Sequence, residues 1–528
     1  MKRTWALSFL FLIAAIGSSA NAQTCGALRP NESLAPNQSI PTCNGIGTFV
    51  HQSDGNVVLY DQAGALWASN TQGATSALWM QGDGNLVLYG ANGAPLWHTS
   101  TNGNPGAWLA IQDDCNLVIY GPANNVLWTS GTTCRGTTPY VGGVKDRMFV
   151  GYQGWFSAPG DGFVDEWVHW GAGVVSPGHV TFELYPDVRE YQSTFQTDLA
   201  NLGNGNPASL FSSITDDTIS VHFRWMREHN IDGAALQRFM NDRTEMRNSI
   251  AAKVRSAAEA NDRGFYLMYD VSGMGSDFVQ RIRDDWANTI VNSLQLTASP
   301  NYARENGRIV VSLWGIGFPD RPGTPQDWIN LISWFKDRGV YVIGGVPWGW
   351  RTGEGVKPGF QNVYTQLNMV SPWTVGAYST DAQVDSWRTG RLVPDRDYLA
   401  TLGIDYQPVA FPGFAWSNWQ VNCPPPTFCP PNQIPRRAGR LFWRQAYDLR
   451  LSNISTVFVA MFDEYDEGTA IAKAAENSTM TPTNQYFLTL DADGTALSSD
   501  FYLRLANQAN RMLKGEIAPT PTVPIPNR

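Results

Sequence analysis

Four carboxylates fall within five consecutive positions near the C-terminal end of this chain: Asp463, Glu464, Asp466 and Glu467, in the run FDEYDEGT at 462–469. They follow an apolar run, TVFVAM at 456–461, that reads as a buried strand. Like charges crowded at the end of such a strand raise one another's pKa. Raised and unraised carboxyls side by side are what glycoside hydrolysis needs: one acid protonates the leaving oxygen, and another acts as base or nucleophile. A solvated acidic loop or a calcium loop is the bland alternative.

A second chemical pattern lies near the N-terminus. QSDGNVVLY, QGDGNLVLY and QDDCNLVIY begin at 52, 81 and 112, so the repeats start 29 and 31 residues apart. In a strand alternate side chains share one face. One face then carries Gln52, Asp54, Asn56, Val58 and Tyr60 in the first copy. The second carries Gln81, Asp83, Asn85, Val87 and Tyr89, and the third Gln112, Asp114, Asn116, Val118 and Tyr120. A carboxylate, two amides and a phenol around one valine can hold several hydroxyls of a sugar against an apolar ring face. A solvated strand face is the alternative for one such segment, and three intact copies argue for binding. Each copy is followed by a turn and a Leu-Trp pair (Trp67, Trp97, Trp128), which reads as core.

Further polar and aromatic residues fall where other apolar runs end: Gln237 and Arg238 after 233–236, Tyr269 and Asp270 after 265–268, Trp314 after 309–313, and Trp348 and Trp350 after 340–343. Trp373 and Trp416 lie in later loops. Aromatics gathered at several strand ends are candidate substrate subsites. The 21 tryptophans of the chain are read first through these positions.

The elements that must position this chemistry divide the chain. After a 24–134 repeat region and a 135–144 linker, apolar runs alternate with helix-like stretches at 219–229, 243–260, 277–295, 325–337 and 438–451. Strand then helix, repeated, predicts a parallel α/β domain over 145–513, a (β/α)8 TIM barrel with active residues at strand ends; a doubly wound sheet is the runner-up. The expected fold class is therefore multidomain, an all-β unit followed by an α/β barrel. A Pro/Thr-rich tail, 514–528, is expected to be disordered.

Residues 1–22 have a basic start, an apolar run and a small-residue cleavage site, the pattern of a secretory signal, so the mature protein is expected to be extracellular and free of membrane. Six cysteines in an oxidising compartment suggest three bridges, and proximity favours Cys25–Cys43, Cys115–Cys134 and Cys423–Cys429. No histidine spacing forms a metal motif, and no Gly-rich phosphate loop or GxSxG elbow is present, so no metal or cofactor is expected. A net charge of −9 makes nucleic acid a poor partner; the polar faces and the aromatics at strand ends make carbohydrate the expected one.

The threefold Q-x-D-x-N-x-V-x-Y motif resembles the bulb-type (monocot mannose-binding) lectin domain. The resemblance implies a three-faced β-prism with one mannose pocket per face, although Cys115 stands where the first two copies have Gly55 and Gly84. FDEYDEGT, with RRAGRLFWRQ at 436–445, VGYQGWF at 150–156 and LYPDVREY at 184–191, resembles the bacterial branch of glycoside hydrolase families 71 and 99. That resemblance implies an endo-acting, retaining hydrolase of α-mannosides or related polysaccharides. Glu464 would be the base acting on the substrate's own 2-hydroxyl, and Glu467 the acid. Asp463 replaces the family's Asn, and Met268-Tyr269-Asp270-Val271 replaces its His-Ile-Glu-Pro strand end. Two other functions fit the same residues: an α-1,3-glucan hydrolase, and a non-catalytic adhesin or lectin-type toxin.

Overall fold

The computed structural model describes residues 26–42, 47–61, 64–112, 115–123, 125–132, 142–240, 243–419 and 429–528. The expected leader (1–22), Cys25, Cys43, Cys134 and Cys423, Asp114 and most of the 135–144 linker lie outside the described residues. Neither described cysteine, Cys115 or Cys429, is a free thiol. The chain divides into two units at Cys134/Arg135. Among the described residues no helix is long and apolar enough to cross a membrane.

The N-terminal unit consists of three four-stranded antiparallel sheets. Only the second half of each repeat is strand, the third of its sheet: Val57–Asp61, Leu86–Gly90 and Leu117–Tyr120. The expected strand through the Gln, Asp and Asn positions is a correction: 52–56 and 81–85 form turns closed by Gln N–H to Asn O and Gly N–H to Gln O bonds. Within the strands alternation sorts the residues. Val57 and Leu59, Leu86 and Leu88, and Leu117 and Ile119 join one shared apolar core. Val58, Val87 and Val118 are buried too, but outside that core, on the opposite face. Trp67, Trp97 and Trp128 meet edge to face at ring separations of 5.3, 5.9 and 6.0 Å, an arrangement that suits the indole quadrupole. The first strand of every sheet comes from the segment before the repeats. Ala27–Leu28 pairs in the third sheet, Glu32–Leu34 in the second and Ser39–Pro41 in the first.

The second unit is a curled parallel sheet ringed by helices. Its strands are β1 (Met148–Tyr152), β2 (Gly233–Phe239), β3 (Gly264–Asp270), β4 (Arg308–Trp314), β5 (Tyr341–Pro347), β6 (Met369–Trp373), β7 (Asp405–Tyr406 with Val409–Ala410) and β8 (Val457–Val459). All neighbouring pairs along β1 to β6, and β1 with β8, are parallel. The segment 405–410 joins the two edges. Asp405 and Tyr406 pair with β6, and Val409 and Ala410 pair with β8. The handover falls between Gln407, whose N–H bonds Val370 O, and Pro408, whose carbonyl accepts Phe458 N–H. The result is a TIM-like barrel.

Between or after the strands run α1 (Asp216–Glu228), α2 (Thr244–Asn261), α3 (Phe278–Asp284, continued by a π-helical stretch to Ser293), α4 (Pro325–Lys336), α5 (Gln361–Tyr364), α6 (Asp381–Trp387, extended through Leu402), α7 (Arg440–Leu451) and α8 (Phe501–Leu513). Side-chain caps fix three of the helix starts: Thr215 accepts Thr218 N–H before α1, and Thr324 and Thr380 form capping boxes with Asp327 and Gln383. The tail is a correction. It is docked on this unit, with Trp443 Nε1 donating to Thr520 O at 2.8 Å and Arg504 Nη1 to Pro526 O at 3.0 Å. Ile517, Val523 and Ile525 are partly buried against the core.

Candidate active site and sugar pockets

The acidic run leaves β8 in an irregular but fully tied turn. Thr469 and Ala470 N–H groups bond Glu464 O at 3.2 and 3.0 Å, and Ala415 N–H bonds Glu467 O at 2.9 Å. Arg436, buried, donates Nη2 to both Gly468 O and Ala470 O at 2.7 Å. Gly468 takes φ +60° against the backbone of Ala415, which a side chain would crowd.

Within this frame each carboxyl has its own surroundings. Asp463 is fully buried and accepts the N–H groups of Gln153 at 2.7 Å and Gly154 at 2.9 Å, from the turn after β1. Burial outweighs those two donors and pushes its pKa up to about 7. Glu464 is buried as well. Desolvation first, then the charges of Glu467 and Asp466, hold it well above the carboxylate range, and Thr469 Oγ1 lies 3.3 Å from its Oε2. Glu467 is only partly covered, and desolvation with the charge of Asp466 pushes it up to about 7. Asp466 is 1 % exposed, accepts from His169 Nδ1 at 3.0 Å, and is raised by burial. All four carboxyls are raised, and Asp463 and Glu467, at about 7, keep acid and base forms together near neutral pH.

The other expected residues separate into two groups. Gln237 and Asp270 are buried on the barrel-interior phase of their strands; Gln237 Nε2 lies 4.0 Å from Met461 Sδ, and Asp270 accepts Ser272 N–H at 2.8 Å. Half-buried Trp314 and Trp373, at the ends of β4 and β6, meet edge to face at 5.4 Å, and Trp314 also stacks on Phe318 at 4.9 Å. Trp348 packs on Trp387 under Arg391, and Trp416 packs on Phe414.

Three residues expected to meet substrate do not line the barrel end. Arg238 and Tyr269 turn outward between barrel and helices. Arg238 forms a two-armed ion pair with Asp285 at 2.6 Å on each arm, and Tyr269 Oη donates to Asp285 Oδ2 at 2.7 Å. Their neighbours Gln237 and Asp270 take the inward phase, so alternation forces these two out. Trp350 is 2 % exposed, with Nε1 bonded to Asp395 at 3.1 Å, and belongs to the core.

Gln153, Trp155 and His169 join the site without having been expected. Gln153 and Trp155 follow the end of β1, where the strand-end rule that found Gln237 also points. His169 lies in the long excursion between β1 and α1, with no motif around it. His222 is structural, held between Tyr152 Oη at 2.9 Å and Tyr191 Oη at 2.7 Å, and burial pushes it down to about 3.

In the N-terminal unit the three polar faces repeat in detail. Gln52, Gln81 and Gln112 donate Nε2 to Tyr60, Tyr89 and Tyr120 at 3.0, 2.8 and 2.9 Å. Asp54 and Asp83 each accept the N–H two residues on, at 3.0 Å. Asn56, Asn85 and Asn116 Oδ1 accept from Ser69, Thr99 and Ser130 at 3.0, 3.2 and 3.1 Å. A bulge falls beside the Tyr of each copy. Cys115 takes the left-handed φ, +59°, that Gly55 and Gly84 take.

No family model matches the chain, and no curated protein matches it. Among solved structures, the chain is similar to the GH99 endo-alpha-mannosidase of Bacteroides thetaiotaomicron. The match has a TM-score of 0.52 at 14% identity and covers 70% of this chain and 98% of that one. The same enzyme in complex with BIS-TRIS-propane gives a TM-score of 0.50 at 14% identity, over 71% of this chain and 98% of that one. This likeness shows a shared fold. A monomeric monocot mannose-binding lectin from Gastrodia elata aligns with 20% of this chain and 98% of its own, at 40% identity and a TM-score of 0.19.

Proposed function

We propose that the protein is a modular glycoside hydrolase, with the C-terminal barrel cleaving an O-glycosidic bond and the N-terminal unit, a bulb-lectin-type β-prism, binding mannose-type glycan. The observation that carries this reading is the packing of Glu464 and Glu467 in one tied turn at the end of β8, both with raised pKa values. A pair that shares protons at neutral pH supplies an acid and a base to one bond. The fold it sits on is also that of an endo-alpha-mannosidase, so an α-mannoside or related polysaccharide is the substrate class, attacked internally and with retention.

The roles are those the family resemblance implies, and the reactive form is the one in which the proton of the coupled pair sits on Glu467 and Glu464 is ionised. In the reaction proposed, Glu464 takes the proton of the sugar 2-hydroxyl as that oxygen attacks the anomeric carbon. The glycosidic C–O bond breaks, and Glu467 gives its proton to the leaving oxygen. Water then opens the 1,2-anhydro ring at the anomeric carbon. Glu467 accepts a proton from that water, and Glu464 returns the first proton to O2.

The lectin unit contributes effective concentration. Three weak pockets on one tether raise the local density of glycan at the barrel. We propose that the protein is secreted, on the signal-like pattern of residues 1–22. Product analysis of the full chain on a panel of α-mannans, α-1,3-glucans and xylan, with Glu467→Gln as control, tests the proposal. Release of sugar that Glu467→Gln abolishes supports it. Release from α-1,3-glucan alone moves the substrate class, and binding without any release supports the adhesin reading.

A further inference from the structure

His169 is held from several sides. Nδ1 lies 3.0 Å from Asp466 Oδ2, across 297 residues of sequence. Its ring stacks on Trp155 at 3.9 Å and 6°, and its carbonyl accepts Thr181 Oγ1 at 2.6 Å. Its backbone sits at φ +61°, a region that few residues with a side chain occupy. Such a conformation costs free energy and clusters where ligands are bound.

The side chain nevertheless remains 30% exposed. It lines a cavity of about 340 Å3 together with Asp466, Thr181, Glu166, Arg243 and Trp419. Asp466 Oδ1, on that 1 % exposed residue, has no hydrogen-bond donor among the described residues. A buried carboxylate oxygen without a donor keeps the cost of its lost water unrecovered. A ligand hydroxyl would supply the missing donor.

The rest of the wall suits a neutral polyhydroxyl. Arg243 Nη2 is paired with Glu166 Oε1 at 2.9 Å, so the rim is electrically balanced. Gly171 brings bare backbone to the cavity, since a Cβ there would lie 1.9 Å from Val174 O. Trp419 adds an apolar face of the kind that covers a pyranose ring.

We infer that this cavity is a sugar subsite beside the acidic turn, in which His169 and Asp466 bind hydroxyls of one pyranose and thereby set where along the glycan the chain is cut. The inference rests on the glycosidase reading for its consequence, but its binding claim stands on the cavity. His169 is a substrate-contacting residue in this scheme, and Trp155 is a positioning residue acting through it.

Two measurements on the full chain test it. In kinetics with mannan-derived oligosaccharides of increasing length, His169→Ala raises KM for the longest at least about tenfold and shifts the cleavage position. His169→Gln, which keeps hydrogen-bonding atoms, recovers part of the loss. Cleavage with unchanged KM and product pattern overturns the inference while sparing the functional proposal. The second measurement is calorimetric binding of the same oligosaccharides to the chain carrying Asn56→Ala, Asn85→Ala, Asn116→Ala and Glu467→Gln. Adding His169→Ala weakens binding at least about tenfold if the subsite exists, and unchanged binding overturns it. Should His169→Ala unfold the barrel, Glu166→Gln with Arg243→Met, on the rim, takes its place with the same expected losses.

Discussion

The Asp463 carboxylate receives the Gly154 N–H at 2.9 Å, across a gap of 309 residues. With the Gln153 N–H beside it, this contact ties the turn after β1 to the turn after β8 where the acids sit. The tie makes Asp463 a scaffold for its neighbours.

Replacing Asp463 tests that role. An Asn there can accept only one of the two N–H groups, and its own NH2 faces the other. Asp463→Asn is expected to cost about 1–3 kcal/mol of barrel stability, the penalty for one buried donor left unmatched. Asp463→Ala is expected to cost more. Urea unfolding followed by near-ultraviolet circular dichroism measures both.

The same residue predicts a pH dependence. Burial holds Asp463 up to about 7 in the folded chain, against roughly 3.9 when unfolded. The folded state therefore binds the proton more tightly, and this contribution is complete below about pH 4 and is lost as pH rises through about 7. Asp463→Asn removes the dependence. The stability of the variant relative to the wild type should rise between pH 4.5 and pH 7.5. A relative stability that falls over that window contradicts the raised pKa.

Removing either member of the acid pair should stop turnover. Glu464→Gln and Glu467→Gln are each expected to lower kcat by at least about a thousandfold, given the share of the barrier that acid–base groups carry. Retention on immobilised mannan should stay unchanged in both, because the proposed sugar pockets belong to the other unit. A variant that keeps more than a tenth of its activity removes that residue from the chemistry.

The lectin pockets should fail one at a time. Asn56→Ala, Asn85→Ala and Asn116→Ala each delete the amide that orders one pocket. Single variants should weaken retention on mannan severalfold, and the triple variant should abolish it. Loss of all retention from one substitution would mean that a single pocket does the binding.

The three indoles carry a stability prediction. Trp67→Ala leaves a cavity among Phe49, Trp97 and Trp128 and should cost about 3–5 kcal/mol. Calorimetry of the full chain should show the N-terminal transition falling while the barrel transition holds.

Much of this was legible in the primary structure, for reasons that differ by region. The three repeats could be read because the same residues recur at the same spacing, but the strand alternation assigned to them holds only from Val57, Leu86 and Leu117 onward; the Gln, Asp and Asn before these positions are set by a turn. Barrel strands such as 309–313 and 456–461 stood out as apolar runs, but buried strands are apolar on both sides. Nothing in 233–239 or 264–270 says which phase points inward, so Arg238 and Tyr269 were placed on the wrong side. β6 and β7 did not stand out, because Pro372 and Pro408 interrupt them. Trp350 looked like a platform because it sits at a strand end, yet its N–H finds Asp395 in the core. His169 was invisible, because its partner is brought to it only by the closure of the barrel. The tail read as disordered from its prolines, whereas its carbonyls serve Trp443 and Arg504.

The run from Ala27 to Pro41 gives one strand in turn to the third, second and first sheets of the N-terminal unit. It works as a drawstring. A single repeat cut out of the chain would lack its fourth strand and expose an open edge, so the repeats are not portable modules despite their similarity. The geometry of all three proposed sugar faces therefore depends on a stretch of chain outside the repeats. A cleavage within that stretch, between Leu34 and Ser39, would slacken all three pockets together.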